Sequence, residues 1–253
     1  MKRMTHALLA AGTLAGFAAC KDALAPILDQ ELAADIAASA GDAIAADVAE
    51  AIGNEIFGGF APPSDVLASP ADDSVRNTFN ATRSRTCYNA TGGVVANCGA
   101  GTTSMKITLS FDGTRTGPNW SGAVHRTRTD SIHGLGQGSS SRFHNARGTS
   151  NDTTSFTRDS SLRRFAESSI DSIVNLTFQL PRASNPWPTA GQIIKNVTAS
   201  ISITGKINES RSLTRRVVVT FPADAQGNVT LQVGTMTCQL NLVTHRVTGC
   251  TGG

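Results

Sequence analysis

Lys106-Ile107-Thr108-Leu109-Ser110-Phe111 and Val197-Thr198-Ala199-Ser200-Ile201-Ser202-Ile203 alternate polar and apolar residues without a break. A period of two marks a half-buried strand, because successive side chains leave opposite faces of a sheet. Working outward from these stretches, about ten strands are expected, near 75–88, 94–98, 104–115, 120–132, 139–149, 153–166, 170–180, 192–208, 211–222 and 228–247. Their connections are short and carry turn residues: Asp112-Gly113, Gly117-Pro118-Asn119, Asn151-Asp152 and Asp224 to Asn228. Successive strands with short turns are antiparallel neighbours, so the expected body is a β-meander, as an open sheet, half-barrel or sandwich. No βαβ spacing occurs.

Before Ser74 the period is four. Leu24, Leu28, Leu32, Ile36, Ala40, Ile44, Val48, Ile52 and Ile56 recur in an Ala-rich, acidic background. That pattern predicts amphipathic helix. A strict period of four drifts by ~40° per step around a helix of 3.6 residues per turn. Gly41-Asp42 offers a reset, giving two helices over roughly 22–40 and 42–57, with Asp42 capping the second. Gly58-Gly59 and Ala61-Pro62-Pro63 then open a linker over 58–74. The expected fold class is mainly β with an N-terminal helical arm, the sheet covered by one or two helices.

Charge divides at the same boundary. Lys21 to Asp73 holds one Lys and eleven acids, a net −10; Ser74 to Gly253 holds nineteen Lys+Arg and eight acids, a net +11. The basic side chains concentrate on the middle strands, as Thr114-Arg115-Thr116, Arg126-Thr127-Arg128-Thr129, Ser141-Arg142 and Arg147. Guanidinium groups on a sheet surface suit phosphate or carboxylate. Arg115, Arg126, Arg128, Arg142 and Arg147 are therefore the candidate anion-binding residues, for a polyanion or an acidic protein partner. Aromatic residues make up 5% of the chain, too few to interleave with the arginines, so nucleic acid is not an expected partner.

The N-terminus carries an address. Lys2 and Arg3 precede an uncharged run of 13 residues, Ala7 to Ala19, which is shorter than the ~20 residues of a spanning helix and reads as a secretory signal. Phe17-Ala18-Ala19-Cys20 resembles the lipobox of bacterial lipoproteins, with Phe17 standing where that family's pattern favours Leu. The resemblance covers residues 1 to about 21. It implies a signal peptide over 1–19, a mature N-terminus at lipidated Cys20, and attachment to the membrane through that residue. Lys21 stands where the family's inner-membrane retention signal has Asp, which implies the outer membrane. The expected segments are thus 1–19, 20–57, 58–74 and 75–253.

Cysteine spacing supports export. Apart from Cys20 the chain has Cys87, Cys98, Cys238 and Cys250. The midpoint of Cys87 and Cys98 falls between Gly92 and Gly93, a dipeptide suited to a two-residue hairpin turn. Cys238 and Cys250 are symmetric about Thr244. Cys87–Cys98 and Cys238–Cys250 are expected over the two alternative pairings. No C-x-x-C spacing supports a metal site, and His125, His133, His144 and His245 form no metal-spaced pair. Gly134-Leu135-Gly136-Gln137-Gly138 lacks the strand-to-helix context and the Lys-Ser/Thr of a phosphate loop. Among Asp112, Asp130, Asp152, Asp159, Glu167, Asp171, Glu209 and Asp224 no nucleophile–base arrangement is legible. The expectation is a lipid-anchored envelope protein with a structural or binding role, without cofactor, metal or catalytic residues. The alternatives are a carrier for an apolar ligand under the helical arm and, behind it, an envelope hydrolase.

Overall fold

The computed structural model describes residues 29–57, 76–99, 101–117, 120–158, 161–181, 186–205 and 208–252. Cys20, the signal segment and the linker over 58–74 lie outside these residues. The described chain is one helix followed by a single open antiparallel sheet of eleven strands. The helix α1 spans Asp29–Phe57; the strands are β1 (Arg76–Tyr88), β2 (Val94–Val95), β3 (Ser104–Gly117), β4 (Trp120–His133), β5 (Ser141–Arg158), β6 (Ser161–Gln179), β7 (Ala190–Thr204), β8 (Glu209–Thr220), β9 (Asn228–Val233), β10 (Met236–Asn241) and β11 (Arg246–Thr251). From β3 to β11 every strand pairs with its sequence neighbours; only β2 folds back onto the outer edge of β1. The meander is as expected, with strand boundaries corrected in three respects.

First, two of the expected turns are mid-strand: β3 runs through Asp112-Gly113, with Asp112 opposite His125 and Gly113 opposite Val124, and Asn151-Asp152 is not a turn either. Strand β5 runs straight through it, Asn151 opposite His125 and Asp152 opposite Val124 and Glu167. The dipeptide has turn chemistry, but its neighbours on both sides supply ladder partners, and tertiary pairing overrides local preference. Second, the strand expected over 153–166 is divided: 153–158 continues β5, and 161–166 joins the strand expected from 170 as β6. Third, the segment 228–247 holds β9, β10 and the start of β11, with a turn after each of the first two and Gly234 at φ 58° between β9 and β10.

Both expected disulfides form, with Cα–Cα separations of 5.5 Å for Cys87–Cys98 and 4.0 Å for Cys238–Cys250. The first hairpin differs from the expected register. Cys87 pairs with Val95 and Tyr88 with Val94, so the turn is Asn89 to Gly93 and not Gly92-Gly93 alone. Asn89 organises it: its Oδ1 accepts from the N–H groups of Thr91 at 3.1 Å and Gly93 at 2.8 Å. The two bridges therefore sit at opposite edges of the sheet, one on β1–β2 and one on β10–β11.

The expected break at Gly41-Asp42 does not occur; α1 is continuous through it. Gly41 is there for proximity. A β-carbon at this position would overlap the Val247 Cγ2 methyl and lie 3.4 Å from Leu240 Cδ1. Asp42 meets His245 Nδ1 at 2.8 Å and does not cap a helix. Leu32, Ile36, Ala40, Ile44 and Val48 are buried and share one hydrophobic cluster with Ile193, Val197, Val217, Val219, Leu231 and Leu240. The drifting period-four stripe has a structural meaning here, since the positions between it, Ala37, Gly41, Ala45 and Asp47, are buried as well.

We predict that Gly41→Ala lowers stability by about 1–3 kcal/mol through overpacking, despite the ~1 kcal/mol by which Ala is the better helix former. In a Val247→Ala background the same change should be neutral or stabilising. Denaturant unfolding of the four variants checks this, and an additive cycle would disprove the contact.

Candidate functional site

The inner face of the sheet is defined by the strand residues that share the core with α1. Cross-strand partners lie on one face, so the register orders that face in rows. One row reads Leu109, Arg128, Gly148, Asp171, Lys195, Val217 and Val233 from β3 to β9. An arginine, an aspartate and a lysine thus lie in the middle of a buried face. Each is under a tenth exposed: Arg128 5%, Asp171 7% and Lys195 2%.

Burying such groups is costly unless they are paired. Asp47, on the side of α1 that meets this row, does the pairing. Its Oδ1 accepts from Arg128 Nη1 at 2.6 Å, and its Oδ2 lies 3.0 Å from Lys195 Nζ. Arg126 Nη1 is 3.8 Å from Oδ1. Each principal cation has a second anion: Arg128 Nε donates to Asp130 at 3.0 Å, and Lys195 Nζ lies 2.9 Å from Asp171. Ser169 donates to Asp171 at 2.7 Å and meets Ser150 at 2.8 Å. The cluster holds three cations and three carboxylates. Gly148 makes room for it, since a β-carbon there would press within 3.2 Å of the Arg128 Cβ and Cγ.

Burial alone would raise the Asp47 carboxyl, but Lys195, Arg128 and Arg126 hold it down at about 2. Two rows toward the helix N-terminus, beyond Ser150 and Ser169, the balance reverses. Glu167 and Asp152 are cross-strand partners with no cation between them. Burial pushes Glu167 up to about 7, with Asp152 and Asp171 adding to the effect and a Ser39 hydrogen bond opposing it. Burial also raises Asp152, and raises Asp35 on the helix to about 6.

The five arginines expected to form one anion-binding row are dispersed. Arg126 and Arg128 face inward onto Asp47. Arg142 pairs with Phe178 and so shares the inner face, whereas Arg147 is exposed on the outer one. Arg115 lies in β3 opposite Gly122, its side chain outside the described residues. The partner of the inward pair, Asp47, and its second cation, Lys195, were not among the expected site residues. The signal available for both is register: Lys195 stands in phase with the apolar positions Ile193, Val197 and Ala199 of an otherwise buried strand face.

The histidines have structural partners. His125 meets Asp112, His144 packs edge-on against Phe178 with ring centroids 5.3 Å apart, and His245 meets Asp42. Ser131 Oγ and His133 Nε2 are 3.0 Å apart, as i, i+2 neighbours on the open outer face. Among the described residues no three or more His, Cys, Asp and Glu side chains are grouped to hold a metal ion. A cavity of about 400 Å³ lies at the β1–β2 edge, lined by Arg85, Thr86, Cys87 and Val94 to Cys98, with no carboxylate or imidazole in its wall. No protein-family model matches the chain, and comparison with the curated proteins and with the solved structures finds no match.

Replacing Asp47 by Asn would leave Arg128 and Lys195 buried with one anion each. Breaking a buried ion cluster at one member costs about 3–5 kcal/mol. Asp47→Asn should therefore lower the urea midpoint by that equivalent, and a loss under 1 kcal/mol would show the cluster to be marginal.

Proposed function

We propose that the protein is a lipid-anchored component of a bacterial cell envelope, cut before Cys20 and acylated there, with a structural or binding role and no catalytic one. The observation that carries this reading is the cysteine inventory. Of five cysteines, four are taken up in Cys87–Cys98 and Cys238–Cys250. Paired disulfides fit an oxidising compartment, and the one cysteine they leave is the residue in the lipobox-like motif. More than one acyl chain on Cys20 would give stable attachment, at ~0.8 kcal/mol per buried methylene.

We read α1 as the cover of the inner face, with the sheet as a trough around it. Contacts that reach from Arg128 in β4 to Val247 in β11 support that reading. It also assigns a first anionic partner to Arg126 and Arg128: the protein's own acidic arm. The space beneath the described part of the arm is occupied by the hydrophobic cluster and the ion cluster, which disfavours a carrier for apolar ligands.

Mass spectrometry of the mature protein should give an N-terminal Cys20 carrying acyl mass. Cys20→Ser should shift the protein from the membrane to the soluble fraction. An unmodified Cys20, or unchanged fractionation of the Ser variant, would defeat the proposal.

A further inference from the structure

We propose that the carboxyl groups under the first half of α1 form a pH-operated latch: protonated, they let the helix seat on the sheet, and ionised, they loosen residues 32–40 while the Asp47 cluster holds the second half. The anchored character of this arm rests on the lipid attachment proposed above; the latch is a property of the described residues alone.

The geometry sets two unlike contacts along one helix. At Asp47 every charge has an opposite neighbour. Two helical turns earlier, Ser39 meets Glu167, whose Oε2 is buried without a hydrogen-bond partner. The groups around that carboxyl come from every packed element. Strand β5 presents Asp152, and β6 presents Asp171 above and Arg163 below; β7 presents Lys195, β4 presents Arg126 near Asp152, β8 presents Arg211, which pairs at 3.2 Å with the exposed Asp29 in the first turn of α1, and α1 presents Asp35 beside Ser39. The two nearest cations are engaged elsewhere, Lys195 by Asp47 and Asp171, and Arg126 toward Asp47. An ionised Glu167 thus faces Asp152 across one strand spacing, in a buried site that returns, among the described residues, the Ser39 hydrogen bond and no partner for Oε2.

The signs follow from linkage. Glu167 and Asp35 are raised in the folded protein, from 4.5 to about 7 and from 3.8 to about 6. Their contribution to seating is complete below the unfolded values and is lost as pH rises through the folded ones, a window from about pH 4 to 7. Asp47 is lowered, so its contribution is present above 3.8 and lost only as pH falls toward 2. Across the acid-to-neutral range the two halves of α1 respond differently. Opening the helix exposes the carboxyls, so each of them raises the open population by up to tenfold per pH unit within its window.

Amide hydrogen exchange of the wild-type protein at pH 5 and pH 7.5, corrected for intrinsic rates, tests this. Protection over Leu32–Ala40 should fall on the order of tenfold to a hundredfold at the higher pH, while Ile44–Ala51 keeps its own. Glu167→Gln should remove most of that difference, and Asp35→Asn, at a half-buried position of the helix, should reduce it. Equal protection at both pH values in the wild type overturns the latch, as does an unchanged difference in both variants. An unmodified Cys20 would remove the anchor and leave this measurement as it stands.

Discussion

A single carboxylate, Asp47, ties the N-terminal helix to the sheet at the place where the sheet is least able to be apolar. The inner face carries Arg126, Arg128, Lys195, Asp130 and Asp171 on β4, β6 and β7. Without an anion from the helix those strands would bury an excess of positive charge, a cost of several kcal/mol per unpaired ion. A hydrophobic helix would suit β7 to β10, with their Val, Ile and Leu, and fail over β4 to β6. Because α1 meets both regions, it needs apolar residues on most of its circumference and an acid at one defined position. Gly41 and Gly148 serve the same closeness from the two sides, one letting the helix approach β9–β11, the other letting Arg128 lie across β5.

The disulfides answer a different problem. An open sheet has two edges, where a strand has one neighbour instead of two and is prone to fray or to pair with another chain. Here the terminal strands are short: two residues in β2 and six in β11. Neither contributes much ladder of its own. Cys87–Cys98 and Cys238–Cys250 hold these two strands to their inner neighbours, and the register shift between β10 and β11 disrupts the outer ladder further. Bonds of sequence separation 11 and 12 close short loops, so each contributes roughly 2–3 kcal/mol by loop entropy. Their placement at the margins matters more than that sum.

Much of the body was legible because an antiparallel meander writes itself locally. Alternation sets the faces, turn residues set most of the ends, and cysteines flanking a hairpin turn find each other, in β1–β2 even though Cys87 stands opposite Val95 in the ladder. What was not legible involves residues whose role depends on a distant element. Asn151-Asp152 has turn chemistry and sits mid-strand, because His125 and Glu167 flank it from β4 and β6. Gly41 reads as a helix break until Val247, more than two hundred residues later, is placed against it. Arg126 and Arg128 read as a surface ladder, since alternation alone does not say which face the helix will take. The period-four stripe held a clue to that: a drift around the helix implies contact on several sides, and a helix so enclosed places its few polar residues where they must be matched.

The charge division between −10 and +11 can be followed to its cause on the same grounds. Had the arginines faced solvent, the acidic arm would be a mere neighbour, its attraction weakened by salt over ~8–10 Å. Buried ion pairs are screened far less. The pairing of Arg128 and Lys195 with Asp47 therefore makes arm and sheet one electrostatic unit, and mispairing the arm against the sheet would leave charges unmatched. This gives the acidic helix a specific seat and a specific register on an otherwise repetitive surface. Glu167, Asp152 and Asp35 stand outside that matching, and the seat is weakest there. The first turn has an ion pair of its own, Asp29 with Arg211 at 3.2 Å, but it is exposed and of the kind worth little. The buried lock at Asp47 is therefore the stronger hold, and the end nearer the N-terminus, where the anchor proposed at Cys20 would pull, is the weaker one.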